Sequence, residues 1–340
     1  MEKRYETIPE AFKSLAWKLL EVTENAAMAA ARAAGRGDKN LADKAAVDAM
    51  RATLGRIQGF KTVIKIGEGE RDEAPMLYIG EEIGTGSIEI DLAVDPLENT
   101  NATANLNSGA VTVLAATPSG GLLGASDCYM DKLCVGKETA PYVDIRKTPE
   151  ENVAQLAIAL KRHNLSELTI TVLDRERNND LVRRLRGTGV RVRLIPDGDL
   201  MPSIFTCLKG VGVHAVMGIG AAPEGVISAA AIKLLGGKMQ AIFKPRNDDD
   251  AARLKGMGID LGKVYTQNDL VPAERIVFCA TAVTPMVTTT KAVLEGVSFF
   301  PGGAKTYSLV IANDFMQFVP TTHVLDKQEF VDRHSEFRLW

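Results

Sequence analysis

The acidic side chains of this sequence sit where a chain can aim them. In "SIEIDLAVDPLENT", Ile88, Ile90, Leu92 and Val94 alternate with Glu89, Asp91, Ala93 and Asp95, the period-two pattern of a strand. The run breaks at Pro96 and then presents Glu98 and Thr100. Asp and Pro are common turn formers, so turn chemistry is one reading. The other is a site, because a buried carboxylate without a partner is expensive and a metal ion removes that cost. Glu68 and Glu70 follow a second short run in "TVIKIGEGERDEAP". Glycines flank Glu68 and let the backbone approach something closely, although an exposed acidic loop is the plainer reading. Asp43 in "NLADKAA" and Glu224 in "GAAPEGVISAA" both read as first-turn helix acids, which the helix dipole favours unaided.

Each of these is weak alone. Together they are acids at strand ends and helix starts with no Cys or His cluster beside them. An all-oxygen donor set suits Mg²⁺ or Mn²⁺ rather than zinc, and Mg²⁺ commonly binds substrate phosphates as well. Phosphoryl chemistry is the implication. Anion-binding candidates exist. Arg175 and Arg177 in "TVLDRERNND" carry guanidinium forks that match phosphate oxygens, or else they simply pair with Asp174 and Glu176 at a solvated helix start. "IPDGDL" is a Gly-centred turn with Asp199 as an N-cap, and "GIGAAPEG" is a small-residue turn whose free N–H groups could cradle an anion. Neither a Walker A loop nor a GxGxxG fingerprint is present.

The elements that must position these residues come in two styles. Helices are expected over 13–34, closed by Gly35 and Gly37, and over "ADKAAVDAMRATLGRI". The runs "TVIKI", "SIEIDLAVD", "GAVTVLAAT", "GLLGAS", "DKLCVG" and "YVDIR" then suggest an antiparallel sheet. Near 147 the style changes. Thr148, Pro149 and Glu151 form a capping-box start, and helices and strands alternate from there, the mark of α/β layering. The acidic "NDDD", 247–250, reads as a solvated loop or helix cap. Two domains are expected, 1–147 with most of the acidic candidates and 148–340 with the anion-binding candidates and Glu224.

The totals narrow the function class. The chain has 340 residues, 46% hydrophobic, 24% charged, with net charge −3. That balance gives no electrostatic footprint for nucleic acid or for a membrane surface. The charged N-terminus lacks a signal-peptide core, and no apolar run reaches membrane-spanning length. The four cysteines are scattered without a CxxC pair, so a reducing, cytoplasmic setting is expected.

The segments "GRGDKNLAD", "IGEGERDEAPMLYIGE", "DLAVDPLENTN", "YMDKL", "IPDGD" and "GIGAAPEGVISAA" resemble, in order, the motif series of class II fructose-1,6-bisphosphatases, within the lithium-sensitive metal-dependent sugar-phosphatase superfamily. The resemblance runs from about residue 20 to about residue 280. It implies a five-layer αβαβα sandwich and hydrolysis of the C1 phosphate of fructose 1,6-bisphosphate, a gluconeogenic reaction. It implies Asp43, Glu68, Asp95, Glu98 and Glu224 as ligands of two or more Mg²⁺ or Mn²⁺ ions. It further implies Asp72 and Thr100 around the attacking water and Lys39 near the reacting phosphate. Glu98, Asn99, Thr100, Tyr129, Arg175, Glu176, Arg177, Asp197, Gly198, Asp199 and Ala221 would contact the substrate. A homodimer or homotetramer is implied too. The chain departs from the family pattern at Asn99 and Ala221, where glycine is usual, at Glu176 within "RER", where Pro is usual, and in the tail after "ATAV". Activity on sedoheptulose 1,7-bisphosphate is a close alternative, since the reacting end is shared. A non-catalytic sugar-phosphate sensor is a distant one.

Overall fold

The computed structural model describes residues 2–68, 76–125 and 127–333. In chain order it contains α1 (Glu2–Ala33), α2 (Lys39–Leu54), β1 (Phe60–Ile66), β2 (Glu82–Ile83), β3 (Ile88–Glu98), α3 (Thr100–Ala104), β4 (Val111–Pro118) and β5 (Tyr129–Val135). There follow α4 (Pro149–Ala159), β6 (Thr169–Leu173), α5 (Asn179–Gly187), β7 (Arg191–Ile195), α6 (Leu200–Phe205), β8 (Ala215–Ala221), α7 (Ala222–Leu234), β9 (Lys238–Lys244) and α8 (Asp248–Gly256). The remainder is β10 (Tyr265–Thr266), α9 (Gln267–Leu270), β11 (Val277–Ala282), β12 (Met286–Val287), β13 (Ala292–Leu294), β14 (Ser298–Phe300), β15 (Gly303–Ala312), β16 (Phe315–Val324) and α10 (Lys327–Arg333).

Two sheets dominate. One runs β14-β15-β11-β4-β3-β1-β2 with β16 on β15, the other β10-β9-β5-β8-β6-β7. Alternating side chains on each strand feed separate cores. Ile90, Leu92 and Val94 of β3 pack with α1 and α2 on the outer face of the first sheet. Ala93, with Val111, Val113 and Ala115 of β4, faces a middle layer led by α7. That layer also meets Met130 and Cys134 of β5 and Phe243 of β9. The far face of the second sheet packs Leu133, Ile170 and Val172 against α4 and α5. The order is helix, sheet, helix, sheet, helix, the αβαβα sandwich that the resemblance implies. Helix α7 can serve as the middle layer because it is apolar nearly all round, with Ala, Val and Ile burying both sides.

Some expectations need correction. The early strands are not a purely antiparallel sheet, since β1 pairs parallel to β3 and β5 joins the second sheet. "GLLGAS" and "YVDIR" are not strands in their described residues. Their apolar side chains are core, Leu122 and Val143 among them, but their backbone N–H groups are met elsewhere. Leu123 donates to the Leu270 carbonyl, Ile145 to Gln240 Oε1 and Asp144 to Asn152 Oδ1. Helix α2 begins at Lys39, with Asp38 as N-cap accepting from the Leu41 N–H at 3.0 Å. Asp43 therefore lies beyond the first turn, and dipole stabilisation does not explain it. The capping box at Thr148 and Glu151 forms as expected. Strands β11, β14, β15 and β16, late in the chain, return to the first sheet.

Candidate active site

Parallel pairing decides where the acids go. With Ile66 of β1 opposite Ala93 of β3, the two carboxyl ends lie side by side and carry Glu68 toward Asp95. Glu68 stays at the end of β1 because Gly67 touches the next segment: a Cβ there would collide with the Leu77 carbonyl and the Ile64 side chain. Beyond Asp95 the register with β4 shifts before Glu98, so Pro96 sits in a bulge and both acids escape the regular ladder. Asn99 then takes φ +65°, ψ +57°, the left-handed region. This explains why glycine is usual there, and Asn is among the few other residues that tolerate it. Its side chain also caps α3, accepting from the Ala102 N–H at 3.1 Å, and so sets Thr100 as the first residue of that helix. Ala221 has φ −70°, ψ 146°, which any residue adopts, so the backbone there does not require glycine.

The second sheet supplies the opposite wall, again from the carboxyl ends of strands. The turns after β6, β7 and β8 bring Arg175, Arg177, Asp197, Gly198, Asp199, Ala221 and Glu224 to a cavity of about 330 Å³, shared with Asp95, Glu98, Asn99, Thr100 and Tyr129. Leu97, Asp127 and Leu173 also line it. A larger cavity of about 750 Å³ lies among Arg162, Arg191, Lys209 and His214, with none of these acids. Of the remaining expected site residues, Glu176 is exposed and does not line the 330 Å³ cavity, and Lys39 is exposed at the start of α2. Asp72 lies outside the described residues.

The electrostatics set these acids apart. Burial, then the charges of Glu224, Glu68 and Asp43, push the Asp95 carboxyl well up, against a lowering hydrogen bond from the Leu97 N–H. Burial, then Asp95, Glu224 and Asp199, does the same to Glu98. Burial raises Glu224 to about 7, although Lys132 opposes it. All five candidate metal acids thus sense one another's charge or share the cavity. Among the described residues, no three His, Cys, Asp or Glu side chains stand close enough to form a ready-made cage. Glu98 Oε1 accepts from the Leu200 N–H at 3.3 Å and so serves the start of α6. Asp199, expected as that cap, stands at the N-cap position but makes no capping bond; its Oδ2 lies 2.6 Å from Lys132 Nζ. Arg175 keeps one partner expected at a helix start, donating to the Asp174 carbonyl at 3.3 Å, but both arginines have others. Arg175 reaches Asp197 at 3.6 Å, and Arg177 stacks 4.2 Å from the Tyr129 ring centre while donating to the Ile219 carbonyl.

A strongly acidic pole thus faces a basic, aromatic one across a small cavity at the carboxyl ends of strands, the usual ligand position in layered α/β folds. The family model described as "Bacterial fructose-1,6-bisphosphatase, glpX-encoded" matches residues 13–323. The chain belongs to that family. A protein of Crocosphaera subtropica named D-fructose 1,6-bisphosphatase class 2/sedoheptulose 1,7-bisphosphatase is 43% identical to it, over 94% of this chain and 99% of the relative. Relatives of the same name in Trichodesmium erythraeum and Thermosynechococcus vestitus are each 44% identical, over 90% and 92% of this chain and 95% and 96% of their own lengths. The family is one of metal-dependent phosphatases. The donor set here fits such an ion: all oxygen, with Glu98 Oε2 and Glu224 Oε2 shut from solvent and without hydrogen-bond partners. Leaving a buried polar atom unpaired costs about 1–3 kcal/mol, a cost that a bound cation removes.

Lys132, within "YMDKL", is not among the expected site residues. The signal was present, because Lys132 is in phase with the buried Met130 and Cys134 of β5. Arg246, 5.6 Å from the Tyr129 ring centre on the side chain's way to Asp127 and Asp250, carried no such local mark.

Proposed function

We propose that this chain hydrolyses the C1 phosphate of fructose 1,6-bisphosphate, releasing fructose 6-phosphate and orthophosphate. The observation that carries the reading is the pairing, in one cavity, of two carboxylates that each keep a buried, unpartnered oxygen with a guanidinium pair and an aromatic ring. Family membership supports the same chemistry. Asp43, Glu68, Asp95, Glu98 and Glu224 would hold two or more Mg²⁺ or Mn²⁺ ions. Held there, such ions would supply Lewis-acid stabilisation of the charge that develops on the phosphoryl and leaving-group oxygens. Thr100 and Asp72 orient the attacking water, and Lys39 approaches the reacting phosphate. Arg175 and Arg177 hold the distal phosphate as charge-assisted forks, with Arg177 placed over the Tyr129 ring. Asp197, Gly198, Asp199 and the backbone at Ala221 meet the sugar. The two halves of the chain, before and after residue 147, divide this work into metal holding and sugar holding, with Glu224 crossing over.

Sedoheptulose 1,7-bisphosphate is a second substrate on this reading. The names of the relatives favour it. A homo-oligomer in the cytoplasm completes the proposal; among the described residues, no helix is long and apolar enough to cross a membrane. The test is phosphate release from both bisphosphates with Mg²⁺ and with Mn²⁺, each with and without lithium. Turnover should need the cation and fall with lithium. Metal-dependent binding of sugar bisphosphate without product would instead make the chain a sensor.

A further inference from the structure

Lys132 is a fully buried lysine in the middle of a strand, with a side-chain exposure of 1%. Its ammonium lies 2.6 Å from Asp199 Oδ2 and donates to the Ala221 carbonyl at 3.2 Å. Burial alone would lower its pKa, but the charge and hydrogen bond of Asp199 keep it raised and the group ionised. The neighbouring strand makes room for it. Gly220 on β8 lies beside β5, and a Cβ there would collide with Asp199 Oδ2 and with Lys132 Nζ. An ammonium is rarely buried to this degree without a fixed partner. The partner here is a residue of the cavity wall, and so is the second contact.

We infer that Lys132 is a positioning residue for sugar recognition: it holds the Asp199 carboxylate and the Ala221 carbonyl in place from beneath the cavity. This rests on the functional reading above. It explains why Asp199, at the N-cap position of α6, leaves capping to Glu98. Asp199 is turned down onto the ammonium by one oxygen, which orients the carboxylate toward the ligand. Lys132 touches the sugar-holding groups and not the phosphate clamp, so its loss should be selective.

The test is Lys132→Met in the full-length, metal-loaded enzyme. KM for fructose 1,6-bisphosphate should rise about 10- to 100-fold, the range typical of a side chain that orients a site carboxylate. Its kcat should change much less, as for lost ground-state binding. Hydrolysis of p-nitrophenyl phosphate, which has no sugar hydroxyls, should be nearly unchanged. Calorimetry should show weaker binding of fructose 6-phosphate and unchanged binding of inorganic phosphate. Equal losses on both substrates would overturn the inference and make Lys132 a purely structural residue. Should Lys132→Met fail to fold, the double variant Lys132→Met with Asp199→Asn, which removes both charges together, carries the test. It should match Asp199→Asn alone on fructose 1,6-bisphosphate, and a further tenfold loss would overturn the inference. A wild-type enzyme that cleaves p-nitrophenyl phosphate but no sugar bisphosphate would overturn the functional reading itself, a result separable from either of these.

Discussion

Two groups of buried acids in this molecule look alike in sequence and behave oppositely in the fold. Asp250, in the acidic run 247–250, accepts from Arg246 Nε at 2.6 Å and from Arg253 Nη2 at 3.0 Å, and its own N–H is capped by Asn247. Hydrogen bonding from Arg246 holds it down at about 2, against the pull of burial. Glu98 and Glu224 each keep one oxygen dry and unpaired, and burial raises Glu224 to about 7. The first group is complete as the chain folds. The second is complete only with something the chain does not supply. Glu98 and Glu224, each with an unsatisfied oxygen in one shared cavity, mark the working end of the molecule.

Removing a charge should therefore have opposite effects at the two places. The largest effect is expected from Glu98→Gln. Its amide oxygen can still accept from the Leu200 N–H, so the fold should persist. Turnover should fall by more than the roughly 10- to 100-fold that supporting residues of a metal site cost. The chelated protein should also melt at a higher temperature than wild type, because a destabilising buried charge has gone. A lower melting temperature would show that the second oxygen of Glu98 also has a structural partner and would break the contrast. Next comes Thr100→Ala. A group that helps move a proton in the transition state is worth about 10²- to 10⁴-fold in rate. We expect a kcat loss in that range with KM nearly unchanged, and an unchanged kcat would remove Thr100 from the mechanism.

Legibility followed how local the physics is. The period-two run of β3, the capping box at Thr148 and the acid-rich strand ends are local, and the sequence displays them. Segments 121–126 and 142–146 show apolar residues but not where their backbone hydrogen bonds go, because the partners, Leu270 and Gln240, lie about a hundred residues or more away. Asp43 reads as a first-turn acid only until the start of α2 is known, because "GDKN" offers rival caps and the Asp38 cap moves every later residue along the helix. The acids that matter could be named from motifs. That Glu98 and Glu224 each keep one oxygen unpaired could not, because an absent hydrogen bond is a property of the assembled cavity. The same applies to Lys132, whose phase was readable but whose pairing with Asp199 spans two strands and a turn.

Stability against pH sharpens the contrast at smaller amplitude. Glu224 rises from an ordinary 4.5 to about 7 in the fold. Between those values the folded protein keeps a proton that the unfolded chain has released, so the chelated protein should lose stability as pH rises through that window and level off above it. Saturating Mg²⁺ or Mn²⁺ should flatten the window, since the cation takes the proton's place. Thermal melts of chelated and metal-loaded protein from pH 4.5 to pH 8 would show this, and identical slopes would remove the case for a cation at Glu224.

The smallest effect belongs to Asp250, with the opposite sign. Its folded value of about 2 lies below the ordinary 3.8, so its contribution is present above 3.8 and lost as pH falls through 2. Asp250→Asn should lower the melting temperature at neutral pH by a few degrees and shrink the loss of stability on acidification. Activity should stay within about threefold, since surrounding structure rather than chemistry has been touched. One link could defeat this expectation. Asp250 anchors Arg246, whose guanidinium lies 5.6 Å from the Tyr129 ring centre while Arg177 lies 4.2 Å from it. If Asp250→Asn raised KM for the bisphosphate strongly while kcat held, Arg246 would belong to the distal phosphate clamp. The well-paired acids would then serve the unpaired ones, and the division drawn between the two groups would have to be redrawn around Tyr129.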